Sequence, residues 1–512
     1  MNAAFKFAYI ILLACVLIFA FSARLENASL RLPHADESEQ ATTALKLLDG
    51  KGYKYNPDGP HGPTLYYYSL AKKICTGSEN PDIAGMRKDM LFFTILLMCS
   101  YLLCSPMLGR FAAWAACGFL GLSGIAVIYS VYYVQETIFA LAIFLTATSL
   151  WSFILKPSVR SAILLGLCAG FAQATKETTV IMFAGMFAAL VLLAVFAGKS
   201  SLEKIPSLKK SLLYLGAAIA GFALVFAVFY SSFGSNPRGI LDAVQCYVHF
   251  LGKSQSEAHS APFYYYFALL TTQKCEGVRF GEWAFTATFI FGFICAWLGL
   301  KKRRDTRACY AVFLGLSSIF STLLLSAIPY KTPWLLLPVV GLMCPVSGYG
   351  LQFAAGYKNI FIRIAVLLTI CILAHFQIGA DMKSSLRYHS DPRNPYLYSH
   401  TVPDFANLAA RISQCVKFSD YKTDIPIAVI TQNSPWPLPY YTRELRNAGY
   451  WNFPPKNLGI FDVVIIDGAS EQLVKPQLDD SLYEIEYFGL RENLPLTVRI
   501  KKELFNKIVS DE

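Results

Sequence analysis

Long apolar runs separated by short polar stretches dominate the first three quarters of the chain. Eleven of them approach the roughly 17–25 residues that a helix needs to cross a hydrocarbon core of about 30 Å. The runs cover residues 4–23, 89–108, 111–130, 135–155, 160–175, 178–197, 211–233, 283–300, 308–328, 334–351 and 360–380. Glycines within several of them predict close packing of helices in lipid, and these are Gly118, Gly121, Gly124, Gly166 and Gly170. The pattern predicts an α-helical polytopic membrane protein with about eleven transmembrane helices.

The pattern changes after residue 380. Residues 404–418 show the spacing of a helix, residues 427–431 and 463–467 are short apolar runs typical of strands, and residues 496–500 alternate. About 130 residues are enough for one small hydrophobic core. We therefore expect a transmembrane domain over residues 1–380 and a soluble α/β domain over residues 381–512.

Composition supports a membrane protein and argues against nucleic-acid binding. Hydrophobic residues make up 55% of the 512 positions and charged residues 15%, whereas soluble domains carry roughly 25% charged residues. The net charge of +11 comes from 45 Lys and Arg against 34 Asp and Glu. These basic residues form no stripe on a soluble domain, which nucleic-acid recognition would require.

The basic residues lie mainly in alternate short loops, and this distribution predicts the orientation of the chain. A cytoplasmic N-terminus and an external C-terminus place Arg110, Lys156, Arg160, Lys199, Lys204, Lys209, Lys210, Lys301, Lys302, Arg303, Arg304, Arg307 and Lys358 inside. We thus expect a multi-pass protein of the inner (cytoplasmic) membrane with exported segments 24–88, 234–282 and 381–512. The first apolar run also has features of a cleavable signal. Either interpretation exports the loop that follows it.

The first exported loop carries adjacent carboxylates at the predicted start of a helix. One interpretation is structural: Asp36 caps the helix and Glu39 completes a capping box. The other is chemical: of the two neighbouring acids, Asp36 and Glu37, one serves as a base toward an acceptor while the other contacts a cation. Spacing alone leaves both interpretations open.

Motifs along nearly the whole chain resemble the GT-C superfamily of membrane glycosyltransferases. HADE at 34–37 is similar to the Asp-Glu motif in the first external loop of glycosyltransferase family 39, which includes protein O-mannosyltransferases and lipid A aminoarabinose transferases. HGPTLYYY at 61–68, YYVQETIFAL at 132–141 and YKTPWLLLP at 330–338 follow in the order of that family. HSAPFYYY at 259–266 and SPWPLPYYTREL at 434–445 are similar to a prokaryotic branch.

The resemblance implies transfer of a sugar from a polyprenyl phosphate to an acceptor at the outer face of the membrane. It implies that Asp36 is the general base, with Glu37 beside it. The leaving phosphate needs stabilisation by cations more than by an acid. The predicted phosphate-binding residues are Lys331, Lys176 and Arg87, each near the external end of a run. Ordinary snorkelling of these side chains at the interface is the alternative.

Two further sets of residues are predicted with less support from the pattern. Glu136, His259 and His61 are candidates for holding a divalent metal against the phosphate. His61-Gly62 stands where better-known members have Lys-Pro, and some relatives use a metal while others do not, so metal dependence stays open. Trp436, Tyr440 and Arg443 are candidates for recognising the acceptor, which is a glycan, lipid or protein. A structural proline-rich loop is the alternative there.

A second class of function also stays open, namely a non-catalytic component of lipid-linked glycan handling, associated with a flippase or with transport. Transporters usually carry buried charge or broken helices near the middle of the membrane. The apolar runs here have no charge at their centres, which favours the transferase. A disulfide between Cys246 and Cys275, which share one exported loop, is a further open possibility.

Overall fold

A computed structural model describes residues 3–59, 61–197, 207–254, 260–303 and 305–511. The chain divides into two compact units. The helical unit contains Met1–Leu30, Lys46–His389 and Arg393–Tyr396. The sheet unit contains Arg31–Leu45, Ser390–Pro392 and Leu397–Glu512. The start of the first exported loop, with both candidate carboxylates, thus belongs to the same unit as the C-terminal region.

The elements up to residue 381 are nearly all α-helices. They are α1 (Ala3–Leu30), α2 (Ala35–Leu48), α3 (Thr64–Thr76), α4 (Ile83–Asp89), α5 (Leu91–Leu103), α6 (Ser105–Leu108), α7 (Arg110–Leu122), α8 (Gly124–Tyr129), α9 (Glu136–Leu155), α10 (Val159–Thr175), α11 (Thr179–Ala197), α12 (Leu208–Tyr230), α13 (Gly239–Ser254), α14 (Tyr265–Leu270), α15 (Trp283–Arg303), α16 (Thr306–Ala327), α17 (Leu337–Ala355) and α18 (Ile360–Asp381). A short hairpin of β1 (Gln273–Cys275) and β2 (Val278–Phe280) precedes α15.

Each of the eleven predicted runs is helical, but not every run is one long helix. Run 89–108 breaks at Cys104 into α5 and α6, and run 111–130 breaks at Ser123, whose hydroxyl caps α8. Within the described residues, eight helices are long and apolar enough to cross a membrane. The chain is therefore a multi-pass membrane protein. Cys246 and Cys275 are free thiols, so the disulfide does not form in this structure.

Small residues let helices of the helical unit approach closely. A Cβ atom on Gly166 of α10 would lie 2.0 Å from the carbonyl oxygen of Ala218 in α12. A Cβ atom on Gly170 would lie 2.8 Å from the carbonyl oxygen of Phe222 in the same helix. Any side chain at either position would push the two backbones apart. This confirms the close packing that the glycines predict.

The sheet unit is built on a mixed five-stranded sheet in the order β4-β3-β5-β7-β6. Strands β3 (Ile427–Ile430), β4 (Ala448–Trp451) and β5 (Val463–Asp467) are parallel, and β6 (Tyr483–Arg491) and β7 (Leu494–Lys501) are antiparallel. The remaining helices are α19 (Phe405–Phe418), α20 (Leu438–Tyr441), α21 (Glu471–Val474) and α22 (Lys502–Val509). The predicted helix and strands are confirmed.

The two central parallel strands carry no alternation because both faces of the sheet are covered. All residues of β3 and β5 are buried. On one face, Ile427, Val463 and Ile465 pack in a core with residues of α19 and α22. On the other face, Ala428 and Val464 belong to a second cluster. Strands buried on both faces are expected to be continuous apolar runs.

Candidate active site

The first turn of α2 is held by two hydrogen bonds between its own residues. The backbone N–H of Asp36 donates to Nδ1 of His34 at 3.1 Å, and the backbone N–H of His34 donates to Oε2 of Glu37 at 3.1 Å. A helix start leaves such N–H groups without intrahelical acceptors. His34 therefore caps this helix and Glu37 takes the carboxylate position of the capping box. The expectation that Asp36 and Glu39 fill these positions is wrong.

The tautomer of His34 follows from its two partners. Nδ1 accepts from a backbone N–H, so it carries no proton. Nε2 lies 2.8 Å from the carbonyl oxygen of Tyr398, which only accepts, so Nε2 is the protonated nitrogen. The imidazole is buried. The neutral ring thus links the start of α2 to residue 398 within the sheet unit.

The two acidic residues of the motif have different surroundings. The Glu37 side chain is buried and bound at the helix start. Asp36 is half-buried, and within the described part of the chain no side chain or backbone group forms a hydrogen bond or ion pair with its carboxylate. Because the capping bonds leave that carboxylate unused, it is available to a hydroxyl proton of a ligand.

The second motif packs against the end of α10 in the helical unit. Gly62 donates its N–H to the carbonyl oxygen of Thr175 at 3.1 Å, and Thr64 donates its hydroxyl to that of Thr175 at 3.1 Å. A Cβ atom on Gly62 would lie 2.1 Å from the carbonyl oxygen of Ala174. The Gly62 carbonyl accepts from Gln135 at 3.4 Å. Gly62 is required because the backbones touch there.

Two ion pairs stand side by side at this junction. The ammonium of Lys176 donates to Glu136, and both side chains are almost fully buried. Nδ1 of His61 lies 2.8 Å from Oε1 of Glu177, which directly follows Lys176 in the chain. Burial alone would raise the pKa of Glu177, but the neighbouring His61, together with Lys176 and a backbone hydrogen bond, outweighs it and lowers that pKa to about 2. The junction thus joins the second and third motifs.

The remaining predicted phosphate-binding residues are fixed by carbonyl groups. The ammonium of Lys331 donates to the carbonyl oxygens of Ala261 at 2.8 Å, Ile328 at 2.5 Å and Pro329 at 3.4 Å. No carboxylate pairs with Lys331 among the residues that the structure describes. Burial lowers the pKa of this ammonium. Lys331 is thus a cation whose charge is not cancelled by an acid.

Arg87 is almost completely buried at the end of α4. Its Nη1 donates to the carbonyl oxygen of Ala28 at 3.1 Å, and its guanidinium carbon lies 5.8 Å from the ring centre of Tyr132. Tyr132 belongs to the third motif and its ring lies 5.4 Å from that of Tyr129. Arg87 therefore belongs to the part of the helical unit that carries this motif.

Two of the three residues considered for a metal are already paired with other charged groups. Glu136 contacts an ammonium and His61 contacts a carboxylate, and a nearby ammonium repels a second cation. Across the described ranges, no three His, Cys, Asp or Glu side chains lie close enough together to hold an ion. His259 lies outside the described residues.

The three residues considered for the acceptor belong to the sheet unit and have different surroundings. Tyr440 is buried, and Arg443 donates to the Tyr440 carbonyl at 2.7 Å while its guanidinium carbon lies 4.2 Å from the ring centre of Tyr440. The Arg443 guanidinium also pairs with the adjacent Glu444. Trp436 is partly exposed. Arg443 is exposed and is therefore the most accessible residue of the three.

A buried polar cluster in the helical unit was missed by the sequence analysis. Arg24 of α1 donates to the hydroxyl of Ser130 at 2.8 Å. A Cβ atom on Gly124 would lie 2.8 Å from a carboxylate oxygen of Asp381 and 3.5 Å from a carboxylate oxygen of Glu282. The predicted runs ended at residues 23 and 380, one residue before Arg24 and Asp381. Their polarity, which led us to end the runs there, is the signal of this cluster.

Comparison with known proteins gives a structural match only. No protein-family model matches the sequence, and no curated protein sequence does. The fold is similar to that of the aminoarabinose transferase ArnT from Cupriavidus metallidurans bound to undecaprenyl phosphate, with a TM-score of 0.63, 13% identity, and coverage of 97% of this chain and 98% of ArnT. An Archaeoglobus fulgidus oligosaccharyltransferase tethered to an acceptor peptide matches with a TM-score of 0.54, 13% identity, and coverage of 98% and 77%.

Both of these proteins are GT-C glycosyltransferases. The resemblance to the GT-C superfamily that the motifs predict is therefore confirmed for the fold, including the C-terminal sheet region. At 13% identity the match establishes a shared architecture. Activity has to be argued from the residues of this chain.

Proposed function

We propose that the protein is a glycosyltransferase that moves a sugar from a polyprenyl-phosphate donor to an acceptor at the external face of the membrane. The observation that carries this proposal is the Asp36 carboxylate, half-buried and without a bonded partner in the described chain, in a motif that follows the first long apolar helix. The similarity to ArnT, whose structure contains undecaprenyl phosphate, over 97% of this chain supports the class of donor.

In the proposed reaction, Asp36 takes the proton from an acceptor hydroxyl as that oxygen attacks the anomeric carbon of the sugar. The bond between the anomeric carbon and the phosphate oxygen breaks, and its electron pair leaves with the polyprenyl phosphate. One negative charge thus moves from the carboxylate to the phosphate. The role of the protein is to supply the base and to stabilise the charge that develops on the leaving group.

Lys331 is the residue that we propose for the leaving phosphate. Its described partners are neutral carbonyls, so its positive charge is available to an anion nearby. Lys176 is a weaker candidate because Glu136 already balances its charge. Arg87 stays a candidate through its position beside Tyr132 of the third motif. Because Glu136 and His61 are already paired with Lys176 and Glu177, we propose a reaction without a metal-dependent step.

The experiment that tests the function is deletion of the gene followed by analysis of membrane glycolipids, glycoproteins and lipid-linked sugars. We expect one glycan modification to disappear and its polyprenyl-phosphate donor to accumulate. The wild-type chain should restore the modification and Asp36→Asn should not. A matched control is Asp49→Asn, since Asp49 directly follows the last residue of α2 and bonds only to exposed Asn80 among described residues.

The non-catalytic alternative predicts another result. Arg24 and Asp381 are buried charges in helices of the membrane part, but they lie toward the C-terminal ends of α1 and α18 and not near their middles. This placement gives no specific support to transport. If Asp36→Asn restored the modification as well as the wild type does, the transferase proposal would be wrong.

A further inference from the structure

Arg491 is the last residue of β6 and lies beside the segment that precedes α2. It forms an isolated antiparallel bridge with Thr401. The hydroxyl of Thr401 donates to the carbonyl oxygen of Pro33 at 2.6 Å. Two residues before Thr401, the Ser399 hydroxyl accepts from Nη1 of Arg491 at 3.5 Å. Arg491 is therefore tied to the stretch 398–401, which in turn holds residues 33 and 34.

The guanidinium of Arg491 has unused hydrogen-bonding capacity. Besides the bond to Ser399, its Nη2 donates to the carbonyl oxygen of Ser434, in the loop after β3. Its Nε atom is buried and has no hydrogen-bond partner in the described part of the chain. A guanidinium has five N–H donors. A buried donor left unbonded costs free energy, so its presence calls for an explanation.

Asp36 is the charged residue that acts on this guanidinium. Burial lowers the pKa of Arg491, and the negative charge of Asp36 acts against that shift. The two side chains form no ion pair, because neither has a described salt-bridge contact to the other. The Asp36 carboxylate thus interacts electrostatically with the Arg491 guanidinium, although no direct bond joins the two side chains.

We propose that Arg491 is a positioning residue for Asp36, and this inference rests on the proposed function. The guanidinium fixes Ser399 next to Tyr398, whose carbonyl binds the His34 cap of the Asp36 helix. Its charge attracts the carboxylate toward one position without occupying its oxygens. The sheet unit would thereby set the geometry of the base, a role for which the C-terminal motif SPWPLPYYTREL gives no sign.

Arg491→Gln and Arg491→Lys test the proposal. We expect Arg491→Gln to lower kcat for transfer from a polyprenyl-phosphate sugar in native membranes by roughly 10- to 100-fold, the scale of a misplaced catalytic group, with little change in the KM for that donor. Arg491→Lys keeps the charge and should give an intermediate kcat. The matched control is Arg411→Gln. It breaks an ion pair of 2.9 Å between Arg411 and Glu486, which lies in β6 like Arg491. It should lower thermal stability without lowering kcat.

A double-mutant cycle separates positioning from a structural role. If Arg491 acts through Asp36, Arg491→Gln should change the residual rate of Asp36→Asn by less than about 2-fold. Equal fractional losses in both backgrounds would overturn the proposal, as would wild-type kcat in Arg491→Gln. If Arg491→Gln does not accumulate in membranes, Arg491→Lys is measured in its place. Wild-type kcat in Arg491→Lys, with no coupling to Asp36→Asn in the same double-mutant cycle, would also overturn the proposal. Wild-type turnover of Asp36→Asn alone would instead reject the proposed function.

Discussion

Asp36 and Glu136 are both acids in the first turn of a helix, and both stand in motifs predicted to face outward, yet their surroundings are opposite. Glu136 is almost fully buried and bonds the ammonium of Lys176. Asp36 is half-buried and has no bonded partner among the described residues. An acid at a helix start is favoured by the helix dipole in either case. The bonding partner, not the sequence position, separates a structural carboxylate from a candidate base.

Breaking the Glu136 pair should give the largest effect and should appear in stability. Lys176→Met leaves a buried carboxylate without its cation, which typically costs about 3–5 kcal/mol. Among the described residues one oxygen of Glu136 already lacks a hydrogen-bond partner, so losing Lys176 would leave both oxygens unbonded. We expect a strongly lowered unfolding temperature in detergent and low protein levels in membranes.

The control for this prediction is the double variant Lys176→Met with Glu136→Leu, which removes both charges. Replacing a buried pair by apolar residues is often neutral, so the double variant should recover much of the lost stability. If the single variant is as stable as the wild type, the Lys176–Glu136 pair does not hold this junction together.

Replacing Asp36 should affect turnover and leave stability nearly unchanged. Asp36→Asn removes the proposed base while His34 and Glu37 keep their capping bonds. We expect turnover to fall by roughly 100-fold or more, which corresponds to about 2.7 kcal/mol of barrier. Losing the charge at the helix start should cost at most about 1 kcal/mol of stability. Transfer rate and unfolding temperature, measured on the same membranes, separate the two.

Glu37→Gln sharpens the contrast between the adjacent acids. A glutamine at this position still offers an oxygen to the His34 N–H, so the capping bond is preserved. Turnover close to that of the wild type would leave Asp36 as the base of the motif. A loss as large as that of Asp36→Asn would instead give Glu37 a direct part in the reaction.

The predictable part of the fold comes from local patterns. Apolar runs predicted each long helix, and short apolar runs predicted β3 and β5, because both signals are contained in neighbouring residues. The breaks at Cys104 and Ser123 were not predicted, since the hydrophobicity of the sequence continues through them. The true end of α1 was missed because Arg24 bonds to Ser130 and to carbonyls of α7, far away in the sequence.

The pairing of the charged residues at this junction could not be predicted from the sequence. The motifs identified His61 and Glu136, and Lys176 was chosen for its place near the external end of an apolar run, while their partners are 116 and 40 residues away in the chain. A metal interpretation of His61 and Glu136 was reasonable from residue type alone. The structure pairs His61 with Glu177 and Glu136 with Lys176, and the packing of the HGPT segment on α10 brings His61 to Glu177.

Replacing Lys331 should have an effect of intermediate size. Like Glu136, Lys331 is held by bonds within the protein, but no carboxylate among the described residues balances its charge. Lys331→Met should weaken binding of undecaprenyl phosphate to the purified protein by roughly 10-fold, because one positive charge near the phosphate is lost. The control is Lys358→Met, an exposed lysine predicted to face the cytoplasm. Equal affinity of the wild type and Lys331→Met would leave Lys331 only its bonds to the Ala261, Ile328 and Pro329 carbonyls.

The smallest expected effect concerns the His61–Glu177 pair and the pH dependence of stability. The folded-state pKa of Glu177 is about 2, below its ordinary value of 4.5. The carboxylate therefore contributes stability that is present above pH 4.5 and is lost as the pH falls toward 2.

His61→Asn removes the imidazole but tolerates the positive φ of 56° at this residue. Because the His61 side chain is 26% exposed, solvent screening limits the expected loss to about 1 kcal/mol at pH 5. Unfolding temperatures measured between about pH 5 and pH 3 should fall less steeply in His61→Asn than in the wild type, and Glu177→Gln should flatten the same range. Parallel curves for all three proteins would mean that the His61–Glu177 pair adds nothing to the stability of the junction.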